Sequence, residues 1–168
     1  MMKLVSLAAA GGLALVAPAT AAGAAHGPDA AACRAGSKSP ALLVKVSGFK
    51  NRNGKLRVQL YGPNPADFLA RGKKLRRIDL PVTAATIPVC VAVPKAGTYA
   101  IAVRHDADGN GKSGWNDGGG FSRNPDISLT DLKPKYNEVA VPVGPGVKPI
   151  TVVLNYRQGL RIGPIARN

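Results

Sequence analysis

The sequence predicts an all-β fold, an antiparallel β-sandwich of about seven strands over residues 41–157. Two observations predict it. Apolar residues recur at every second position in one short run after another, and no segment keeps the 3.6-residue period of an amphipathic helix. The runs are separated by Gly, Pro and Asn at a spacing that suits sandwich turns.

The elements follow in order. In "LLVKVSG", Leu42, Val44 and Val46 share one face. In "KLRVQLY", Leu56, Val58 and Leu60 point inward and Arg57 and Gln59 outward. Asn53-Gly54 between them is a good hairpin dipeptide, so these two strands are expected to pair. "GPNPADFLARGKK" is a long connection whose Phe68 and Leu69 could plug one end of the core. "LRRIDLPV" offers Ile78, Leu80 and Val82 inward. "TIPVCVAVP" aligns Ile87, Val89, Val91 and Val93 opposite Cys90, and Pro88 and Pro94 suit a strand at a sheet edge. "TYAIAVRHD" is the clearest strand, with Tyr99, Ile101 and Val103 alternating with small Ala100 and Ala102. "NEVAVPV" and "KPITVVLNY", joined by "GPGV", complete the set, with Ile150, Val152 and Leu154 on one face.

The ends carry different information. Lys3, the apolar run Leu4–Val16 and the small-x-small triplet Ala19-Thr20-Ala21 form the pattern of a secretory signal peptide over residues 1–21. The run is too short for a permanent span, and no later segment approaches roughly 18 apolar residues, so no transmembrane segment is expected in the mature chain. Residues 22–40 read as a flexible lead-in and residues 158–168 as a loose basic tail. Export to the periplasm or outside the cell makes the only two cysteines, Cys33 and Cys90, a disulfide pair.

The formal net charge is +14, or +13 once Lys3 is removed with the signal peptide. Such a surplus suits polyanions such as an acidic envelope glycan or lipopolysaccharide, and equally serves solubility. It is concentrated in "ARGKKLRR", at Arg71, Lys73, Lys74, Arg76 and Arg77. Those cations would form a binding patch or guard an edge strand against unwanted pairing. Nucleic acid is a poor partner for an exported chain with few aromatics to stack bases.

The stretch "HDADGNGKSGWND" carries the sharpest pattern. Asp106, Asp108, Asn110 and Gly111 fall at the D-x-D-x-N-G spacing of a calcium loop, and Asp117 takes the twelfth place in lieu of Glu. Short oxygen-bearing side chains at alternate positions can curl around a hard cation, and the Lys112 carbonyl would follow as a further ligand. The competing reading is a polar turn whose Asp and Asn side chains bond their own backbone. A strand precedes the loop and Gly118-Gly119-Gly120 follows, so it is not an EF-hand. Calcium is the one cofactor the sequence suggests.

Catalysis has less to stand on. His105 is the only histidine outside the lead-in, and no G-x-S-x-G elbow supplies a nucleophile. A hydrolase centred on His105 is the weakest reading, and His105 is expected to orient the loop or lie exposed. Trp115, with Phe121, could be a sugar platform. A lid over one end of the sandwich is the favoured expectation.

The segments "GTYAIAVRHDADGNGK", "GFSRNP" and the closing "LNY" resemble a bacterial family of secreted domains known as domain of unknown function twenty-one forty-one. Its usual pattern is G-x-Y-A-[IV]-x-V-x-H-D-x-N-x-N-G-K, then G-[FY]-G-F-S-N-N. Gly97, Tyr99, His105, Asp106, Asn110, Gly111, Lys112, Gly120, Phe121, Ser122 and Asn124 match it. Asp108 and Arg123 stand where Asn is common, and the segment from Lys112 to Gly120 is shorter and lacks the usual Gly-x-Pro-x-Glu-Gly run. The resemblance covers about Leu42 to Tyr156. It implies secretion, and the expected sandwich, transthyretin-like or immunoglobulin-like, is similar to the transthyretin-like and carboxypeptidase-regulatory-like modules, which mostly bind or brace. It implies no reaction. The expected function is therefore a non-enzymatic binding or structural module of the cell envelope, with a polyanion-binding adhesive module as the alternative.

Overall fold

A computed structural model describes residues 24–165. The predicted signal peptide lies outside the described residues. The architecture is a β-sandwich of two unequal sheets. The smaller sheet has the order β4 (Thr86–Ala92), β1 (Ala41–Ser47), β8 (Val147–Val153). The larger runs β10 (Arg161–Gly163), β9 (Asn155–Gln158), β6 (Gly118–Phe121), β5 (Gly97–Asp106), β2 (Lys55–Tyr61), β3 (Arg76–Pro81), with β7 (Val141–Val143) also paired to β5. All pairings are antiparallel except β1 with β8.

The period-two pattern places the core where alternation requires it. Leu42, Val44, Val46, Ile87, Val89, Val91 and Val152 face Leu56, Val58, Leu60, Ile78, Tyr99, Ile101 and Val103 across the sandwich, all nearly or fully buried. β4, with Pro88 inside it and Pro94 just beyond it, is an edge strand as its composition predicts.

Several local expectations are corrected. β1 and β2 do not form a hairpin; they lie in opposite sheets. The chain leaves β1 at Gly48, whose φ is +82° and where a Cβ would sit 3.2 Å from the Leu154 carbonyl oxygen. It enters β2 after Gly54, with φ +70° and a hypothetical Cβ only 1.8 Å from the Asp106 oxygen. These glycines permit close backbone approach during a crossover between sheets, not a two-residue turn. Likewise β7 and β8 lie in different sheets, and the start of the expected strand "NEVAVPV" falls instead in one short helix, α1 (Tyr136–Val139).

Phe68 and Leu69 do not plug the end of the main core. With Phe121 and Tyr136 they pack over Tyr61, Ala100, Ala102 and Val139 on the outer face of the larger sheet. The small Ala100 and Ala102 leave room for those rings, which meet edge to face around Phe68.

Both supposedly loose ends carry structure. His26 bridges Val89 beyond β4, and Ala30–Cys33 form a 3-10 turn. Cys33 and Cys90 form the predicted disulfide, with Cα atoms 5.9 Å apart and a sequence separation of 57. Closing a loop of that length stabilises the fold by about 4 kcal/mol in the chain-entropy picture. At the other end, β9 and β10 form a hairpin where a basic tail is expected. Among the described residues, no helix is long and apolar enough to cross a membrane.

Candidate functional site

The residues singled out at the end of β5 separate into a buried knot and an exposed loop. Adjacent strand residues point to opposite faces, so His105 and Asp106 part company at once.

His105 is fully buried. Its Nε2 lies 2.8 Å from the Asn53 carbonyl oxygen and its Nδ1 2.6 Å from the Tyr156 hydroxyl. A carbonyl can only accept, so the neutral ring must carry its proton on Nε2. The Tyr156 hydroxyl then donates to Nδ1 and accepts from the Lys50 N–H at 3.1 Å. Phe49 and Tyr156 contact the imidazole edge to face. Burial drives the Tyr156 hydroxyl up to about 12; the Lys50 N–H opposes the shift and the charge of Asp117 adds to it. His105 therefore ties the inter-sheet link 48–54 to β9. It neither lies exposed nor bonds the 106–117 loop directly.

The other family-pattern residues brace the same sandwich. The Tyr99 hydroxyl donates to the Lys95 carbonyl at 2.8 Å. Ser122 is fully buried, donates to the Val139 carbonyl at 2.5 Å and accepts from the Ile101 N–H at 3.0 Å. Asn124, at φ 48°, mimics a strand partner to β8: its amide donates to the Thr151 carbonyl and its oxygen accepts from the Val153 N–H. Gly118 leaves space for the Tyr156 ring, since a Cβ there would lie 2.4 Å from Cζ. At Gly120 a Cβ would lie 2.8 Å from Val152 and from the Val153 oxygen. Phe121 joins the outer cluster.

The loop gathers the predicted carboxylates. Asp106, Asp108 and Asp117 can each offer one oxygen such that all three lie within 4.8 Å of one another. Asp106 is 2 % exposed. Its Oδ2 accepts from the Gly111 N–H at 2.9 Å and has Arg104 Nη2 at 3.6 Å. Its Oδ1 is buried with no hydrogen-bond partner. Gly111, at φ +80°, makes the turn that presents its N–H to Asp106. Asp117 accepts from the Ala107 and Gly114 N–H groups. Asp108 accepts from the Asn110 backbone, and Asn110 from the Lys112 N–H at 2.7 Å. Lys112 is exposed. Arg104 braces the far side through Ser113 and the Gly111 carbonyl. Both features of the sequence reading are therefore present: side chains bonding their own backbone, and a cluster of oxygens with one buried lone pair unspent.

Trp115 does not close the sandwich. It is 74 % exposed, with the Arg157 guanidinium stacked 3.8 Å from its ring centre. No simple sequence signal marks this pair, because the two residues come from a loop and a distant strand.

The basic patch is partly neutralised. Arg76 pairs with Asp29, Arg77 with Asp79, and Lys73 with Asp67. Burial would raise the Asp79 carboxyl, but bonds from Arg57 and Arg77 outweigh it and hold Asp79 below its ordinary value. Arg71 and Lys74 have no ion pair among the described residues.

Fold and loop together define an all-β sandwich module with a polar loop at the end of one central strand. A family model described as an uncharacterized protein conserved in bacteria (DUF2141) matches residues 44–151, well over half of the 168 residues, and the chain belongs to that family. The match spans β1 to β8 and takes in the whole His105–Asp117 stretch. No curated protein and no solved structure matches the chain.

Proposed function

We propose that the protein is a non-enzymatic binding or structural module of the bacterial cell envelope whose 106–117 loop holds calcium. One observation carries the calcium reading. Asp106 Oδ1 is buried and unpartnered, and the Asp106 carboxylate can offer an oxygen within 4.8 Å of those of Asp108 and Asp117. A buried carboxylate oxygen without a partner is costly and is normally satisfied by protein, water or a cation. Anchoring of Oδ2 by Gly111 orients the group so that Oδ1 is free to ligate. A shortened closing residue, Asp117, suits a weak site, toward the millimolar end of extracellular calcium modules.

Export is supported by the signal-peptide pattern and by the Cys33–Cys90 bond, of a kind that persists in oxidising compartments. The non-enzymatic reading is supported by the spending of both His105 nitrogens on Asn53 and Tyr156. The adhesive alternative, an acidic glycan or lipopolysaccharide held by Arg71–Arg77, is weakened by the three ion pairs within that patch.

Calorimetric titration of the purified protein with calcium, with a chelator control, tests the metal reading. Saturable heat and a rise in melting temperature are expected. Neither heat nor a shift at several millimolar calcium would overturn it.

A further inference from the structure

Beside the loop lies a cleft of about 200 Å³. Its walls include Trp115, Phe121, Ile127, Leu132, Arg157 and Ile162. Two of these, Trp115 at 74 % and Leu132 at 53 %, are among the most exposed large apolar side chains of the described residues. An apolar pocket with a few convergent polar groups is where small ligands bind.

The polar groups are unevenly satisfied. Arg157 Nε donates to the Gly159 carbonyl at 2.8 Å, and the guanidinium lies on the Trp115 ring. Arg157 is exposed to solvent, and these two contacts orient its guanidinium plane. Its two Nη groups have no protein partner among the described residues, and it forms no ion pair there. The one carboxylate in the cleft wall, Asp117, is occupied by two backbone N–H groups. The cleft thus presents an oriented, uncompensated guanidinium at the edge of an apolar surface.

We infer that this cleft binds a small amphiphilic carboxylate, an apolar group carrying one carboxylate. The guanidinium fork matches a planar carboxylate with two parallel bonds, one charge against one charge. The apolar body would rest on Leu132, Ile127 and Phe121. The volume is below the roughly 300–1,000 Å³ of drug-sized sites, which limits the buried part to a group of residue size or a short acyl segment. The inference does not depend on calcium.

Trp115 is the only tryptophan of the chain, so its emission reports on the cleft alone. Octanoate, octanol and octylamine are titrated into the purified protein at constant ionic strength with chelator present, alongside N-acetyl-leucine. Octanoate is expected to give a saturable emission change. Octanol should bind about tenfold more weakly and octylamine not at all, since a charge-assisted pair is lost or reversed. Saturation by N-acetyl-leucine as well would extend the ligand to aminoacyl carboxylates; its failure would narrow the ligand to acyl chains. Arg157→Gln, followed by calorimetry because it alters Trp115 emission itself, should lose octanoate binding about tenfold with an unchanged melting temperature. Absence of saturation by octanoate, equal binding of octylamine, or unchanged affinity in a folded Arg157→Gln protein would each overturn the inference.

Discussion

His105 and Asp106 are consecutive on β5 and both are buried, yet one has every polar atom engaged and the other does not. His105 has a partner on each ring nitrogen and aromatic contacts around it. Asp106 has one oxygen bound and one without a partner. The contrast teaches that a histidine beside an aspartate in a family pattern need not be a site as a pair. Here the histidine ties the link between the two sheets to β9, and the aspartate opens the one loop among the described residues in which three carboxylates meet.

The largest effect is expected where the two regions touch. Gly54 lies against the Asp106 carbonyl, beside the Asn53 carbonyl that His105 holds. Gly54→Ala adds a Cβ 1.8 Å from that backbone oxygen, at a φ of +70° that alanine resists. Neither the oxygen nor the left-handed conformation can yield cheaply, so the link 48–54 must shift away from β5 and His105 loses its acceptor. A loss of more than about 3 kcal/mol is expected in urea denaturation, at the upper end of single-residue effects. A change within about 1 kcal/mol would show that the link is not anchored as described.

A smaller effect isolates the knot from the loop. Tyr156 has its hydroxyl raised from 10.0 to about 12. The folded state thus retains the proton that the unfolded chain releases at lower pH. Its contribution is complete below pH 10 and is lost as pH climbs from 10 to 12, by about 2–3 kcal/mol at most. Tyr156→Phe should be less stable than the parent at neutral pH by about 1–3 kcal/mol, because His105 Nδ1 loses its donor. The gap should narrow across that alkaline window. A gap that stays constant from pH 9 to 12 would mean that Tyr156 is not the responsible group.

The sequence made the larger features legible because they depend on local periodicity. Strands such as Leu56–Tyr61 and Tyr99–His105 announce their inner faces, and Pro88 and Pro94 announce an edge. Which strands pair was not legible. Asn53-Gly54 has the chemistry of a tight hairpin, but Gly54 serves a backbone contact with Asp106, fifty-odd residues away, which no local pattern encodes. That Asp106, Asp108 and Asp117 belong to one cluster was legible from their spacing alone. The Tyr156 partner of His105 and the Arg157 stack on Trp115 were not, since each joins segments whose proximity only the crossover from β8 to β9 creates. Trp115 was expected as packing for the same reason: its identity suggests burial, and only the fold reveals that it stands outside.

The smallest effect tests the loop while leaving the knot intact. In Asp106→Asn the side-chain oxygen can still accept from the Gly111 N–H, so the turn is preserved, while the second oxygen becomes an amide donor that cannot ligate a cation. Without calcium the variant should lie within about 1 kcal/mol of the parent, because the lost Arg104 interaction at 3.6 Å is offset by removal of a buried, half-satisfied charge. With calcium at about ten times its dissociation constant, the parent should gain about 1.4 kcal/mol by linkage and the variant nothing. Equal calcium-dependent gains in thermal denaturation would place any bound cation elsewhere. A variant that is markedly more stable in chelator but unresponsive to calcium would support the reading that Asp106 is kept charged for a ligand and not for the fold.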